Sequence, residues 1–289
     1  MVVQEALKNA VTKLEEKKIM TPLLDAEVLL CDVLKMDRLY LYIHRDKELT
    51  CDQEARFQEM MQQRIAGKPV QYIINKQEFM GLDFYVEEGV LIPRPDTEIL
   101  VEAVVNWIKE HGNQKVKIAD IGTGSGAITV SLAVYIEKSH IYSVDISPIA
   151  LEIGDKNARS HDVIHRIDFL HGDLFEPLIQ KGLEDSLDVL VSNPPYIPRH
   201  EIEDLQVEVA AYEPRLALDG GEDGLNFYRR IISSAYVFLK NGGLLALEVG
   251  HDQAEVIKKM MEGQKKYANI EKIKDLSGIE RVVTAMVVK

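Results

Sequence analysis

Asp120-Ile121-Gly122-Thr123-Gly124-Ser125-Gly126-Ala127 decides the fold. It lies where an apolar strand pattern, residues 115–121, meets a helical pattern over 127–136. Glycine keeps side chains from blocking the approach of a ligand to the backbone. A helix that starts there also turns its N-terminal N–H groups toward whatever binds. Working outward, the alternation continues. Strand patterns at 141–145, 167–170, 187–191 and 243–249 are interleaved with helical patterns at 149–158, 226–239 and 253–261. Such alternation predicts an α/β doubly wound sheet with helices on both faces. Two further β-rich runs, 269–274 and 281–288, flank Ser277-Gly278 and predict an antiparallel hairpin at one edge of an otherwise mostly parallel sheet.

Asp145 ends the second strand of the series. A carboxylate at that place can accept both ribose hydroxyls of an adenosine-type cofactor. Gly122, Gly124 and Ala127 also satisfy the dinucleotide pattern G-x-G-x-x-G/A. The cradle alone therefore leaves a nicotinamide cofactor and S-adenosylmethionine both open.

The fourth strand of the series, 187–191, runs into Ser192-Asn193-Pro194-Pro195-Tyr196. Ligands of open α/β sheets bind outside the carboxyl ends of the strands, which is where this segment falls. Its chemistry suits methyl transfer to a planar nitrogen. An amide NH₂ is a poor nucleophile and must be held with its face toward an electrophile. The Asn193 side-chain oxygen and the Pro194 carbonyl can accept its two N–H bonds, and both bind more strongly as the nitrogen gains positive charge. Paired prolines fix φ and pre-aim the carbonyl. Tyr196 offers a flat wall. No base has to act before the methyl moves. Asn193, Pro194 and Tyr196 are the expected catalytic residues, and Pro195 joins them in lining the acceptor pocket.

Upstream the character changes. Residues 1–70 read as a small helical bundle. Leu7, Val11 and Leu14 recur at helical spacing, Pro22 opens a second helix with Leu23, Ala26, Leu29, Leu30, Val33 and Leu34 on its apolar face, and a longer helix over 52–66 stops at Gly67-Lys68-Pro69. Val70 to Ile74 and Leu82 to Val86 are rich in β-branched and aromatic residues and read as a hairpin. After the stiff Ile92-Pro93-Arg94-Pro95-Asp96 loop, Ile99, Leu100, Ala103, Val104 and Trp107 mark one face of a helix.

Composition narrows the function classes. With 46% hydrophobic and 28% charged residues the chain can bury a sizeable core. No basic start followed by an apolar run opens it, and no stretch reaches the ~18 apolar residues a membrane helix needs, so a cytoplasmic protein is expected. Cys31 and Cys51 lie far apart without metal-ligand spacing, and His161, His165 and His171 straddle a helix end and a strand start, so no metal is expected. The net charge is −13. Residues 1–75 are near neutral, with 11 Lys and Arg against 12 Asp and Glu, so the acidity sits in the presumed catalytic part. That counts against a nucleic-acid substrate, which calls for a basic face.

Together these segments resemble the N5-glutamine methyltransferases of peptide chain release factors, over nearly the whole length. Besides the cradle and the tetrapeptide, the resemblance rests on Phe79-Met80-Gly81, Phe84-Tyr85-Val86, the run from Gly89 to Glu98 with its Pro93-Arg94-Pro95, the run from Glu213 to Leu218 with its Glu213-Pro214-Arg215, and the closing Leu276-Ser277-Gly278-Ile279-Glu280-Arg281. It implies a helical substrate-recognition domain over 1–70, a β-hairpin linker over 71–92 and a Rossmann-like class I methyltransferase domain over 93–289. It implies S-adenosylmethionine as donor, S-adenosylhomocysteine as product, and the glutamine of a Gly-Gly-Gln loop as acceptor, in a monomer that modulates translation termination. Gly122, Thr123, Gly124, Ser125 and Gly126 would contact the methionine part, Asp145 the ribose, and Asp173 and Leu174 the adenine. Asn193 would touch both cofactor and glutamine. The family usually has Glu where this chain has Asp96 and often an aromatic where it has Leu174. The closest rival is a DNA or RNA base nitrogen methyltransferase with the same Asn-Pro-Pro-Tyr clamp. A binding module without chemistry leaves intact Asn193 and Pro194 unexplained, and a nicotinamide oxidoreductase leaves the Pro-Pro clamp unexplained.

Overall fold

The computed structural model describes residues 1–111 and 115–289. In chain order its elements begin with helices α1 (Val3–Glu16), α2 (Pro22–Leu34), α3 (Arg38–Ile43), α4 (Cys51–Ile65) and α5 (Val70–Ile74). Strands β1 (Gln77–Phe79) and β2 (Leu82–Phe84) follow, then α6 (Pro95–His111), β3 (Val116–Ile121), α7 (Ala127–Tyr135), β4 (Ser139–Asp145), α8 (Pro148–Ser160), β5 (Ile167–His171), α9 (Glu176–Gln180) and β6 (Leu187–Ser192). The series closes with α10 (Val207–Tyr212), α11 (Asn226–Phe238), β7 (Leu239–Glu248), α12 (Ala254–Gln264), β8 (Tyr267–Lys274) and β9 (Glu280–Val287). The chain forms two compact units: residues 1–76 with 206–212, and residues 77–205 with 213–289. Among the described residues no helix is long and apolar enough to cross a membrane.

The first unit is helical. Pro22 opens α2 and Asp37 caps α3, while Thr50 and Gln53 cap α4 reciprocally. Ala6, Ala10 and Leu14 of α1 pack with Ala26, Leu29 and Leu30 of α2 and with Phe57, Met60 and Met61 of α4. Leu23, expected on the buried face, is 50% exposed. Asp25, two residues on, is buried instead and binds Arg64. The Arg64 guanidinium donates to Asp25 at 2.6 Å and to the Lys68 carbonyl at 3.2 Å, and also pairs with Glu208 of α10. Thr21 donates to the second Asp25 oxygen at 2.8 Å. A buried guanidinium is tolerable only with its donors satisfied in this way.

Val70–Ile74 is helical, not the first strand of a hairpin. Pro69 starts the turn, its carbonyl accepting from Tyr72 and Ile73 at 3.1 and 3.2 Å, and Asn75 ends it in a left-handed conformation at φ 53°. Val70 and Tyr72 are buried, so tertiary burial overrides the β preference of their side chains. The hairpin begins later. β1 pairs antiparallel with β2 across Met80-Gly81, and Phe79 and Phe84 join the hydrophobic core of the second unit.

That core surrounds a seven-stranded sheet of order β5-β4-β3-β6-β7-β9-β8. The strands from β5 to β7 are parallel, and β9 is antiparallel to both its neighbours, so the expected parallel sheet with an antiparallel edge is borne out. α6 and α7 cover one face and α9, α11 and α12 the other. The buried face of α6 is rotated from the one expected. Leu100, Val101, Val104, Val105 and Ile108 lie inside, while Ile99 and Trp107 are only partly covered. The order reverses between β3 and its neighbours β4 and β6, which opens a crevice at their carboxyl ends.

Candidate active site

One cavity occupies that crevice, with about 1120 Å³ of empty space, part of it open to solvent. Gly122, Thr123, Gly124 and Ser125 after β3, Asp145 after β4, Asp173 and Leu174 after β5, and Asn193, Pro194 and Pro195 after β6 all line it. Two expected site residues, Gly126 and Tyr196, do not. Gly126 holds φ 81°, and a Cβ on it would lie 3.0 Å from the Gly154 Cα of α8. Its bareness serves helix packing behind the turn. Tyr196 is half-buried against the α11 side of the sheet, and its carbonyl accepts from Gln253 at 3.0 Å.

The glycine turn differs in one respect from the expectation. The Gly122 and Thr123 N–H groups donate to the Val144 carbonyl at 2.9 and 3.1 Å, Gly124 to Asp145 at 2.9 Å, and Gly126 to the Thr123 carbonyl at 2.9 Å. Four N–H groups of the turn are thus committed inside the protein. The turn supplies close approach rather than a nest of donors, which disfavours the pyrophosphate of a dinucleotide. A Cβ on Gly124 would meet nothing within 4 Å, so the turn stands bare at the cavity. A Cβ on Gly122 would lie 4.0 Å from the Asn193 carbonyl, which places the cradle against the tetrapeptide.

Asp145 also accepts from the Ser147 N–H at 2.8 Å. Burial raises its carboxyl above the ordinary value, and the Gly124 and Ser147 amides oppose that rise. A carboxylate oxygen can accept more than one hydrogen bond, so Asp145, which lines the cavity, can still accept hydroxyls. Asp173 is paired with Arg230 at the exposed side of the cavity. Leu174 takes a left-handed conformation at φ 48°. Phe227 lines the same cavity and provides an aromatic surface that Leu174 lacks.

The carboxyl ends of the strands also carry buried acids that sequence reasoning did not assign. Asp120 is fully buried at the end of β3. Its Oδ2 accepts from Thr129 at 2.6 Å, while Oδ1 has no partner among the described residues. Burial pushes its carboxyl up to about 7. Glu248, ending β7, is pushed up to about 7 by the same cause. Burial, and next the Glu248 charge, push the Tyr196 phenol up to about 12, so Tyr196 stays neutral near pH 7 and cannot serve as a base there. Arg94 and Thr97 line the cavity from the start of α6, and Arg94 donates to the buried Glu213 at 2.6 Å. The sequence signal for these two was the density of charge and proline in the Gly89 to Glu98 run.

Comparison with known proteins matches this arrangement. Residues 5–74 fit a family profile described as PrmC N-terminal domain, and residues 113–284 fit one described as Methyltransferase domain. The chain is 43% identical over 286 residues to the release factor glutamine methyltransferase of Clostridium acetobutylicum, covering 99% of each chain. It is 43% identical over 285 residues to the protein of the same name from Moorella thermoacetica, covering 99% of this chain and 98% of that one. A methyltransferase of known structure from Pyrococcus furiosus aligns with a TM-score of 0.52 at 18% identity, covering 79% of this chain and 98% of that chain, which speaks for the fold alone. With both units matched and the likeness running end to end, the chain belongs to the release factor glutamine methyltransferase family.

Proposed function

We propose that this protein transfers a methyl group from S-adenosylmethionine to the side-chain amide nitrogen, N5, of the glutamine in the Gly-Gly-Gln motif of peptide chain release factors, and so modulates translation termination. One observation carries the reading. Asn193 and Pro194 stand at the end of β6 on the same cavity as the bare glycine turn and Asp145.

The residues present fit the cofactor. Gly122, Thr123, Gly124 and Ser125 leave a bare wall, Asp145 can take ribose hydroxyls, and Leu174, Phe227, Val90 and Ala150 give apolar surface for a purine. When bound, S-adenosylmethionine supplies an electrophilic methyl on a sulfonium. The chain's own contribution is to hold the acceptor. The Asn193 side-chain oxygen and the Pro194 carbonyl take the two N–H bonds of the glutamine amide, and both bonds strengthen as charge develops on nitrogen. Tyr196 contributes bulk and rigidity from behind the Pro-Pro segment.

The helical unit supports a role in gripping the release factor. Its α3 leaves Leu39 at 64% and Ile43 at 65% exposed, apolar surface that a protein partner can cover. The protein acts as a cytoplasmic monomer in this reading. Base methylation is the second reading, and the net charge of −13 speaks against it. A labelled-methyl transfer assay offering release factor, DNA and RNA side by side tests the proposal. Label on a Gly-Gly-Gln peptide, lost when its glutamine is changed, is the expected result; label on nucleic acid instead would overturn it.

A further inference from the structure

Asn193 can accept a hydrogen bond from the substrate only if its amide is turned the right way. The oxygen and nitrogen ends of an amide have nearly the same shape, so their neighbours decide the orientation. β6 and β7 are parallel neighbours with Ser192 opposite Leu247. The next residues, Asn193 and Glu248, therefore come side by side at the sheet's carboxyl end. Glu248 is 2% exposed and lies behind the cavity rather than on it. Burial raises the Glu248 carboxyl, and hydrogen bonding from the Thr97 and Asn193 side chains opposes that rise. The Asn193 Nδ2 also donates to the Thr97 hydroxyl at 3.2 Å. The second carboxylate oxygen, Oε2, is buried with no partner among the described residues.

An ionised carboxylate only accepts. The end of the Asn193 amide that faces Glu248 must then be the NH₂, which leaves Oδ1 for the cavity. We propose that Glu248 is the positioning residue of the methyl-transfer site: its carboxylate, together with the Thr97 hydroxyl, locks the Asn193 amide with nitrogen inward and oxygen toward the acceptor. The inference rests on the reading of Asn193 as the acceptor's clamp.

The lock depends on charge. Once protonated, Glu248 gains an O–H donor and can bond the Asn193 oxygen, turning it away from the substrate. Asp96 on α6 raises the affinity of Glu248 for a proton and Arg281 on β9 lowers it, but burial has the largest effect. Tyr196 and, on α11, Tyr228 are the other titratable groups close by; the Tyr228 hydroxyl donates to the Glu248 backbone carbonyl at 2.9 Å. Both phenols are held neutral by burial. The site therefore works above the titration of Glu248 and fails below it.

The test uses the full chain and two readouts. The first is kcat at saturating cofactor and acceptor between about pH 6 and 9, for wild type, Glu248→Gln and Thr97→Ser. Wild-type turnover should fall toward acid. Glu248→Gln should lower kcat by about 10- to 100-fold at the alkaline end, leave the acceptor KM within about threefold, and lose the acid limb. Thr97→Ser, which keeps the hydroxyl, should resemble wild type. The second readout is the side-chain amide signal of Asn193 in ¹H–¹⁵N spectra of the wild-type protein alone, which should titrate with the acid limb. Glu248→Gln turnover within twofold of wild type, an acid limb unchanged in that variant, or Asn193 signals flat across the range would each overturn the proposal. The spectra need no substrate. A wild-type protein that methylates no release factor would refute the functional reading, while the Asn193 titration would still decide this one.

Discussion

Arg94 and Glu213, 119 residues apart in sequence, are joined by a 2.6 Å charge-assisted hydrogen bond. It ties the proline-rich entry to α6 to the segment that follows α10, and Arg94 itself lines the cavity. A hydrogen bond to a charged group contributes about 1.5–3 kcal/mol. Arg94→Met is expected to destabilise the second unit by that order and to raise the acceptor KM. Arg94→Lys should recover only part, because an ammonium lacks the planar fork. Urea unfolding and steady-state kinetics check both.

Asn193→Ala is expected to leave cofactor affinity within a few-fold but to lower turnover by about 10²–10³, the usual loss for a transition-state hydrogen-bond partner. Calorimetry and a methyl-transfer assay separate the two effects. Near-normal turnover would refute the clamp.

Asp145→Ala should weaken cofactor binding more than it lowers kcat. Asp145 also holds the Gly124 and Ser147 amides, so the variant loosens the cradle as well. Asp145→Asn keeps an acceptor oxygen and should fall between the two. Unchanged affinity in the alanine variant, measured by calorimetry, would reject the ribose role.

Asp120 and Glu248 each make stability depend on pH. Their carboxyls rise from ordinary values of 3.8 and 4.5 to about 7. Between those limits the folded state binds more protons than the unfolded state, so stability falls as pH rises. The contribution is full below about pH 4 and gone above about pH 7. Unfolding free energy measured across that window should therefore decline more steeply for wild type than for Asp120→Asn or Glu248→Gln.

Arg64→Ala should destabilise the helical unit by about 3–5 kcal/mol, because it strands the buried Asp25 without its cation. Thermal unfolding checks this. A loss below about 1 kcal/mol would mean that water or Thr21 satisfies Asp25 unaided.

Much of the site was legible because its signals are local. Glycines between a strand and a helix, an acid closing the next strand, and a Pro-Pro turn closing the fourth are all short patterns, and Gly122, Asp145 and Asn193 do meet at one cavity. Glu248 carried no such pattern, and for Thr97 the charge- and proline-dense run around it marks a segment without saying what it touches. Both reach Asn193 only through strand order and helix packing, which no window of sequence contains. Asp120 lies within the cradle sequence, yet its orphaned oxygen appears only once burial is known. Val70–Ile74 misled for the opposite reason: its β-branched residues look like a strand in isolation, and a bundle that could bury Val70 and Tyr72 made them a helix. Gly126 belongs to the same glycine pattern, but its φ of 81° and the closeness of Gly154 are what require glycine there.

β9 enters the sheet between β7 and β8, with Val282 opposite Glu248. During synthesis β7 therefore remains an open edge until residues 280–287 have emerged, however well the earlier strands have paired. The pocket wall contributed by β3, β4 and β6, and the β6–β7 pairing that sets Glu248 beside Asn193, can form beforehand, but the β9 side of Glu248 stays uncovered. A chain ending before residue 280 is therefore expected to leave Glu248 exposed on one side and to lose turnover, which a methyl-transfer assay on that truncation checks.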